Sequence, residues 1–304
     1  MSVKLDKIST ERRNQNTMDI DRLPTIEILK KLNAEDKTVP LSIEKALPQI
    51  SLLVDALVEV FEQGGRLIYV GAGTSGRIGI LDASECPPTY GTDPSMVQGL
   101  IAGGKIALEK AVEGAEDSKE DAVNDLQNIN LTDKDFVVGI AASGRTPYVL
   151  GAVEYANSIG CLTGCITTSA GSVLADSVSY PIEAITGAEP VTGSTRMKSG
   201  TAQKLICNMI TTSSMIRLGK VYQNLMVDVV ATNLKLEARV ISIIKEVTSY
   251  TDEEAHAALL KYKSTKGVIL AYLLKEEDPT VIEKLLEEYG GNLRKILCKE
   301  EGSK

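Results

Sequence analysis

The sequence predicts an α/β protein, a three-layer αβα sandwich around a central parallel sheet, with a small helical domain at its C-terminal end. Three observations predict it. Short, β-rich apolar runs recur with helical stretches between them, the alternation that builds a parallel sheet covered on both faces. Two of these runs pass directly into turns of glycine and hydroxyl residues, and on such sheets ligands gather at the carboxyl ends of the strands. Beyond Thr195 the strand-like runs stop and the pattern turns helical.

In chain order, two helices are expected from about Pro24 to Gln63, with Pro40 in the first turn of the second and Gly64-Gly65 ending it. Leu47, Ile50, Val54, Leu57 and Phe61 keep helical spacing there. Arg66 to Val70 (RLIYV) reads as a buried parallel strand entering a glycine turn. Further strands are expected at Met96–Ile101, Asp135–Ala141, Cys161–Thr167 and Val178–Ile182, and helices at Lys105–Val112, Lys119–Leu126 and Pro147–Ser158. From Thr195 to about Thr248 a long helix or two is predicted. Thr251-x-x-Glu254 has capping-box spacing, and Asp278-Pro279 sets an N-cap before a proline. Val281, Ile282, Leu285, Leu286 and Tyr289 then form an apolar stripe ended by Gly290-Gly291. The expected division is a large domain over 1–248 and a helical domain over 249–304, the latter too small to bury much core alone.

Composition excludes several functions. The 304 residues carry a formal charge of −8 and only 4% aromatics, with no Trp and two Phe, so both the cationic surface and the stacking platforms of nucleic-acid binders are lacking. An anionic ligand must be held by local donors. Nothing resembles a secretory signal or the ~20 apolar residues of a membrane span, so a cytoplasmic location is expected. The five cysteines are scattered and there is one histidine, His256, which argues for free thiols and against a metal site.

Gly71, Gly73 and Gly76 satisfy GxGxxG directly after a strand, which raises a dinucleotide reading, but no acidic residue near the end of Met96–Ile101 is placed to grip a ribose. The gaps hold Thr74 and Ser75, with Arg77 following. Hydroxyls and free N–H groups at a helix start suit a phosphate monoester. Ser143-Gly144-Arg145-Thr146 repeats this chemistry after the strand Asp135–Ala141, and Ser194-Thr195-Arg196 with Lys198 repeats it again. Together the three turns suggest a pocket for a phosphorylated, hydroxyl-rich ligand, although each hydroxyl also suits a helix N-cap. Candidate carboxylates are Asp82, Glu85, Glu113, Glu116 and Asp117. Glu85 precedes Cys86-Pro87-Pro88, read as a rigid turn that holds it still.

The runs TERRN (Thr10–Asn14), VGAGTSGRIGILDASECPPTYG (Val70–Gly91), IAGG (Ile101–Gly104), EGAEDS (Glu113–Ser118), GIAASGRTPYVLGA (Gly139–Ala152) and TGSTRMKSGTAQK (Thr192–Lys204) resemble the N-acetylmuramic acid 6-phosphate etherase family, in order and over about residues 5 to 300. The resemblance implies the sugar isomerase (SIS) fold, a homodimer with its site near the interface, and a phosphorylated amino sugar as substrate. It also implies cleavage with water to N-acetylglucosamine 6-phosphate and D-lactate. Motif for motif, the family's two glutamates fall at Glu85, as acid to the ether oxygen, and Glu116, as base at C2. Two carboxyls with different protonation suffice for such an elimination, with no metal or other cofactor required. The hydroxyl turns would hold the phosphate, and an Arg or Lys the lactyl carboxylate. A sugar-phosphate isomerase and a sugar-phosphate sensor resembling the glucokinase regulator are the competing readings; the DASECPP and EGAEDS pair and the single module favour the etherase.

Overall fold

The computed structural model describes residues 9–229 and 234–302. Three short 3-10 turns (Ser9–Glu11, Gln15–Thr17, Ile20–Arg22) lead into helices α1 (Thr25–Asp36) and α2 (Val39–Glu62). Pro40 stands in the first turn of α2, where its missing N–H has no helical partner to lose. The α/β part then follows as β1 (Leu67–Gly71), α3 (Gly73–Tyr90), β2 (Val97–Ile101), α4 (Ile106–Glu109), α5 (Lys119–Asn128), β3 (Phe136–Ile140), α6 (Pro147–Ser158), β4 (Leu162–Thr167), α7 (Val173–Asp176) and β5 (Tyr180–Glu183). Helices α8 (Lys198–Arg217), α9 (Leu234–Val247), α10 (Asp252–Tyr262), α11 (Thr265–Leu274), α12 (Pro279–Glu288) and α13 (Leu293–Gly302) complete the chain.

The five strands form one parallel sheet in the order β2-β1-β3-β4-β5, as the alternating pattern predicts. Every residue of β1 and β3 is buried, because both faces are covered. On one face Ile68, Val70 and Val137 join Tyr148, Val149, Ala152 and Val153 of α6 and Leu126 of α5 in a core cluster. On the other, Leu53 of α2 packs on Gly164 and α3 packs on Tyr69. Cys161 and Cys165 belong to the first cluster, and burial pushes both thiols up to about 12, the behaviour of core filler rather than nucleophiles.

By internal packing the chain divides into Met1–Ser84 with Pro94–Thr211, and Glu85–Asp93 with Thr212–Lys304. The second unit has its own core, in which Val240, Ile241 and Ile244 of α9 join Val268, Ile269, Ile282, Leu293 and Ile296. The apolar side of α9 is covered there by the C-terminal helices. The capping box at Thr251 and Glu254 and the Asp278 N-cap both form.

The helix expected at Lys105–Val112 shortens to α4, since Gly103 and Gly104 adopt φ of +85° and +64° and Val112 packs back on Gly103. After Thr195 the expected helical stretch forms two helices, α8 and α9, and between them Gly219, at φ +78°, lies so close to Asn292 that a Cβ would sit 2.7 Å from its Cα. Residues 230–233 of that stretch lie outside the described residues.

The amino ends of β1 and β3 are tied by Arg66, whose Nε and Nη2 donate to the two oxygens of buried Asp135 at 3.0 and 2.7 Å. Burial raises the Asp135 carboxyl, but the hydrogen bonds and charge of Arg66 outweigh this and hold it below its ordinary 3.8. Arg66→Ala is expected to lower stability by about 3 kcal/mol, read as a lower urea midpoint at unchanged slope.

Candidate active site

The order β2-β1-β3 means that the chain leaves β1 toward one edge and resumes at β3 on the other side. Helix α3 backs onto Tyr69 on one face, while Val149 of α6 backs onto Gly139 on the opposite face. A crevice opens at the carboxyl ends of two strands whose following helices diverge. The turns after β1 and β3 are two of the three hydroxyl-rich turns read from the sequence.

Glycine is needed in the first of them. Gly73 has φ +52°, and a Cβ on Gly76 would lie 2.6 Å from Ile101 Cγ1 and 2.8 Å from the Gly71 carbonyl. The close approach starts α3 right at the strand end, with Thr74 and Ser75 half-buried in its first turn. The N–H groups of Gly73, Thr74 and Ser75 have no intrahelical carbonyl to pair with, as at any helix start. In the second turn Ser143 is half-buried, Gly144 adopts φ +62° and Arg145 is exposed. Thr146 stands at the N-cap position of α6 without using its side chain as a cap. In the third, Ser194 and Thr195 are half-buried and Arg196 is exposed.

The first turns of α8 gather these three. Thr168 Oγ1 bridges the carbonyl of Ala142, beside Ser143, and Ser199 Oγ, at 3.2 and 2.9 Å. Gly200 backs onto Thr74, whose Cγ2 would stand 3.4 Å from a Cβ there. Ser75 Oγ donates to Gln203 Oε1 at 2.9 Å. Gln203 was not singled out in the sequence, because a glutamine in a helix carries no signal of its own.

Lys198, a candidate phosphate ligand from the sequence, is engaged within the protein. Its ammonium is buried and donates to Glu35 Oε2 at 2.8 Å and the Ala188 carbonyl at 3.2 Å. Glu35 also accepts from Asn14 and Asn16, at 2.8 and 2.7 Å, which accounts for Asn14 of the TERRN run. The amino end of α8 is closed by fully buried Glu189, which accepts from the backbone N–H of Lys198 and Ser199, both at 2.9 Å, and from Ser199 Oγ at 2.7 Å. Its only sequence signal is an acidic residue in the small polar loop ahead of a helix.

Beside the first turn of α3 lies an open cavity of about 230 Å³ whose lining includes Gly73, Arg77, Ala107, Val112, Glu113 and Glu116. Arg77 is the one cation among the described lining residues. Its Nε donates to the Leu108 carbonyl at 2.9 Å, and its two terminal nitrogens make no hydrogen bond among the described residues. Glu116 projects from the 3-10 turn Ala115–Asp117, which follows Gly114 at φ +76°.

Glu85 is not among the residues that line this cavity. It is exposed, in the later part of α3. Cys86-Pro87-Pro88 is not a separate turn: α3 continues to Tyr90 with both prolines inside it. Lacking N–H groups, the two prolines leave the carbonyls of Ala83 and Ser84 without their helical i+4 donors, and α3 ends two residues later. One turn before Glu85, Asp82 is buried. Burial pushes its carboxyl up, opposed by hydrogen bonds from Asn208 at 2.6 Å and from Thr211 and Tyr69, each at 3.2 Å. It anchors α3 to α8 and does not line the cavity.

The parallel sheet with a crevice at its switch point places the chain among open α/β proteins that bind ligands at the strand ends. Residues 49–157 match the family described as the glucokinase regulatory protein N-terminal SIS domain. A solved protein of Escherichia coli CFT073 shares the fold with a TM-score of 0.51 at 18% identity, over 66% of this chain and 94% of that one. Within the class, proteins of Escherichia coli O139:H28 and Shigella boydii serotype 18 named N-acetylmuramic acid 6-phosphate etherase are each 53% identical over 298 residues, 98% of this chain and 100% of theirs. The chain belongs to the N-acetylmuramic acid 6-phosphate etherase family.

The Glu35–Lys198 pair fixes the loop that carries the third turn. Burial raises the Glu35 carboxyl, but hydrogen bonds from Lys198, Asn16 and Asn14 hold it below its ordinary 4.5. Because the folded value is depressed, this stabilisation is full above about pH 4.5 and is lost as the pH falls through the folded value. Glu35→Ala, which leaves the ammonium buried, is expected to cost about 3 kcal/mol, and adding Lys198→Met should recover much of it. Urea melts of the single and double variants check both.

Proposed function

We propose that this chain is an enzyme that cleaves the D-lactyl ether of N-acetylmuramic acid 6-phosphate with water, giving N-acetylglucosamine 6-phosphate and D-lactate. The observation that carries the reading is the 53% identity to etherases across 98% of the chain. The cavity supports it, since a carboxylate and an arginine fork share one wall system beside an anion-type helix start.

The residues suit an elimination followed by hydration. In the open-chain sugar the C1 aldehyde acidifies the C2 proton, and Glu116 removes it as the base. Glu85, as the acid, protonates the ether oxygen on C3, the C3–O bond breaks and lactate departs. Water then adds across the C2–C3 double bond, hydroxyl to C3 and proton to C2. The first turn of α3, with Thr74, Ser75, Ser143, Thr146 and Thr195 around it, holds the 6-phosphate. Arg77 grips the lactyl carboxylate through its free terminal nitrogens, a fork matched to a carboxylate.

Glu85 does not line the cavity that holds Glu116, and in the homodimer that the family resemblance implies, Glu85 of the partner subunit serves that cavity. Among the described residues no helix is long and apolar enough to cross a membrane. We place the enzyme in the cytoplasm, where a phosphorylated sugar is retained.

Release of D-lactate from N-acetylmuramic acid 6-phosphate by purified protein tests the activity, and a folded protein that releases none contradicts it. Glu116→Gln and Glu85→Gln are each expected to lower kcat/KM by about 10²- to 10⁴-fold with unchanged circular dichroism. If sites are shared across a two-fold dimer, mixing the two inactive variants restores about a quarter of the active sites. No recovery on mixing means that both glutamates act within one chain.

A further inference from the structure

Gln203 is 1% exposed, and among the described residues its amide nitrogen has no hydrogen-bond partner. Its other end accepts from Ser75 Oγ at 2.9 Å. Turning the amide over does not help, because the nitrogen would then serve Ser75 and the oxygen would be stranded. One end of a buried amide is unpaired either way. Leucine or methionine would fill the same volume without that penalty, so the unpaired end points to a partner that arrives with a ligand.

The surroundings indicate which ligand. The hydroxyl held by Gln203 belongs to the third residue of α3, an 18-residue helix whose first N–H groups carry the positive end of its dipole. The amino end of α8, the helix on which Gln203 sits, is already closed by Glu189. Of the two helix starts that meet here, only that of α3 is open to an external anion. A Cβ on Gly200 would meet Thr74 Cγ2 at 3.4 Å beside it, and Gln203, one turn beyond Gly200 on α8, holds the Ser75 hydroxyl of the same turn.

We infer that Gln203 is a substrate-contacting residue: its amide N–H₂ donates to an oxygen of the phosphate monoester held at the start of α3, while its carbonyl fixes the Ser75 hydroxyl. This deepens the reading of the site as a phosphosugar site and rests on it, but the contact to phosphate does not depend on which ether the enzyme cleaves.

Three proteins test the inference: wild type, Gln203→Met, which removes both polar ends at similar volume, and Gln203→Glu, which keeps an acceptor for Ser75 but turns the donor into an anion. The Kd for inorganic phosphate is measured by calorimetry, KM and kcat for N-acetylmuramic acid 6-phosphate by lactate release, and Tm by circular dichroism. Gln203→Glu is expected to raise the phosphate Kd and the KM by about tenfold to a hundredfold, and Gln203→Met by about tenfold, with kcat changed far less. Gln203→Met should keep or raise Tm, because it removes an unpaired buried group. A purely structural glutamine, or one paired with a trapped water, predicts the reverse: a lower Tm and an unchanged phosphate Kd. That result overturns the inference, as does a wild type that does not bind phosphate. If wild type binds phosphate, and the variants weaken it, but no lactate appears, the etherase reading fails and the role of Gln203 stands.

Discussion

The side-by-side pairing of β1 and β3, with α3 leaving over one face of the sheet and α6 over the other, positions everything else at the site. Two turns are brought within reach of one ligand because their strands are hydrogen-bonded neighbours, although about seventy residues separate them. The arrangement is rigid. β1 and β3 are buried along their whole length, their amino ends are clamped by Arg66 and Asp135, and Asp82 holds α3 to α8. The turns at the carboxyl ends are free to carry chemistry because stability is supplied at the other end of the strands and beneath α3.

An acidic chain binding an acidic ligand must control charge locally. It does so by neutralising the groups it does not want to offer. Glu189 closes the amino end of α8, and Glu35 takes the charge of Lys198. Among the described residues, no carboxylate closes the start of α3 or, in the adjoining cavity, the fork of Arg77. The buried carboxylate of Glu35, with Asn14 and Lys198, holds the loop that starts at Ala188 against the N-terminal segment.

The sheet, the helices flanking it and the three hydroxyl-rich turns were legible in the sequence because each rests on local physics: β-rich runs, helical spacing, glycine after a strand. The family was legible in its long motif runs. Other features depend on tertiary partners and left little local trace. Lys198 reads as a phosphate ligand beside Ser194 and Thr195 until Glu35, 163 residues away, is seen to claim it. Pro87-Pro88 reads as a turn, yet α3 runs through it and ends two residues later. The helix expected at Lys105–Val112 yields to positive φ at Gly103 and Gly104, and the residues released from it build the wall that carries Glu113 and Glu116. Gln203 is visible only as an unpaired amide in a packed interior.

The central claim is that a carboxylate breaks the ether by removing the proton at C2 rather than by displacement at C3. Running the reaction to partial completion in deuterated, ¹⁸O-labelled water tests it most directly. The account predicts one deuterium at C2 and one ¹⁸O at C3 of the N-acetylglucosamine 6-phosphate, with the ether oxygen leaving unlabelled in the lactate. Product that keeps its original C2 proton, or lactate that gains the ¹⁸O, would contradict it.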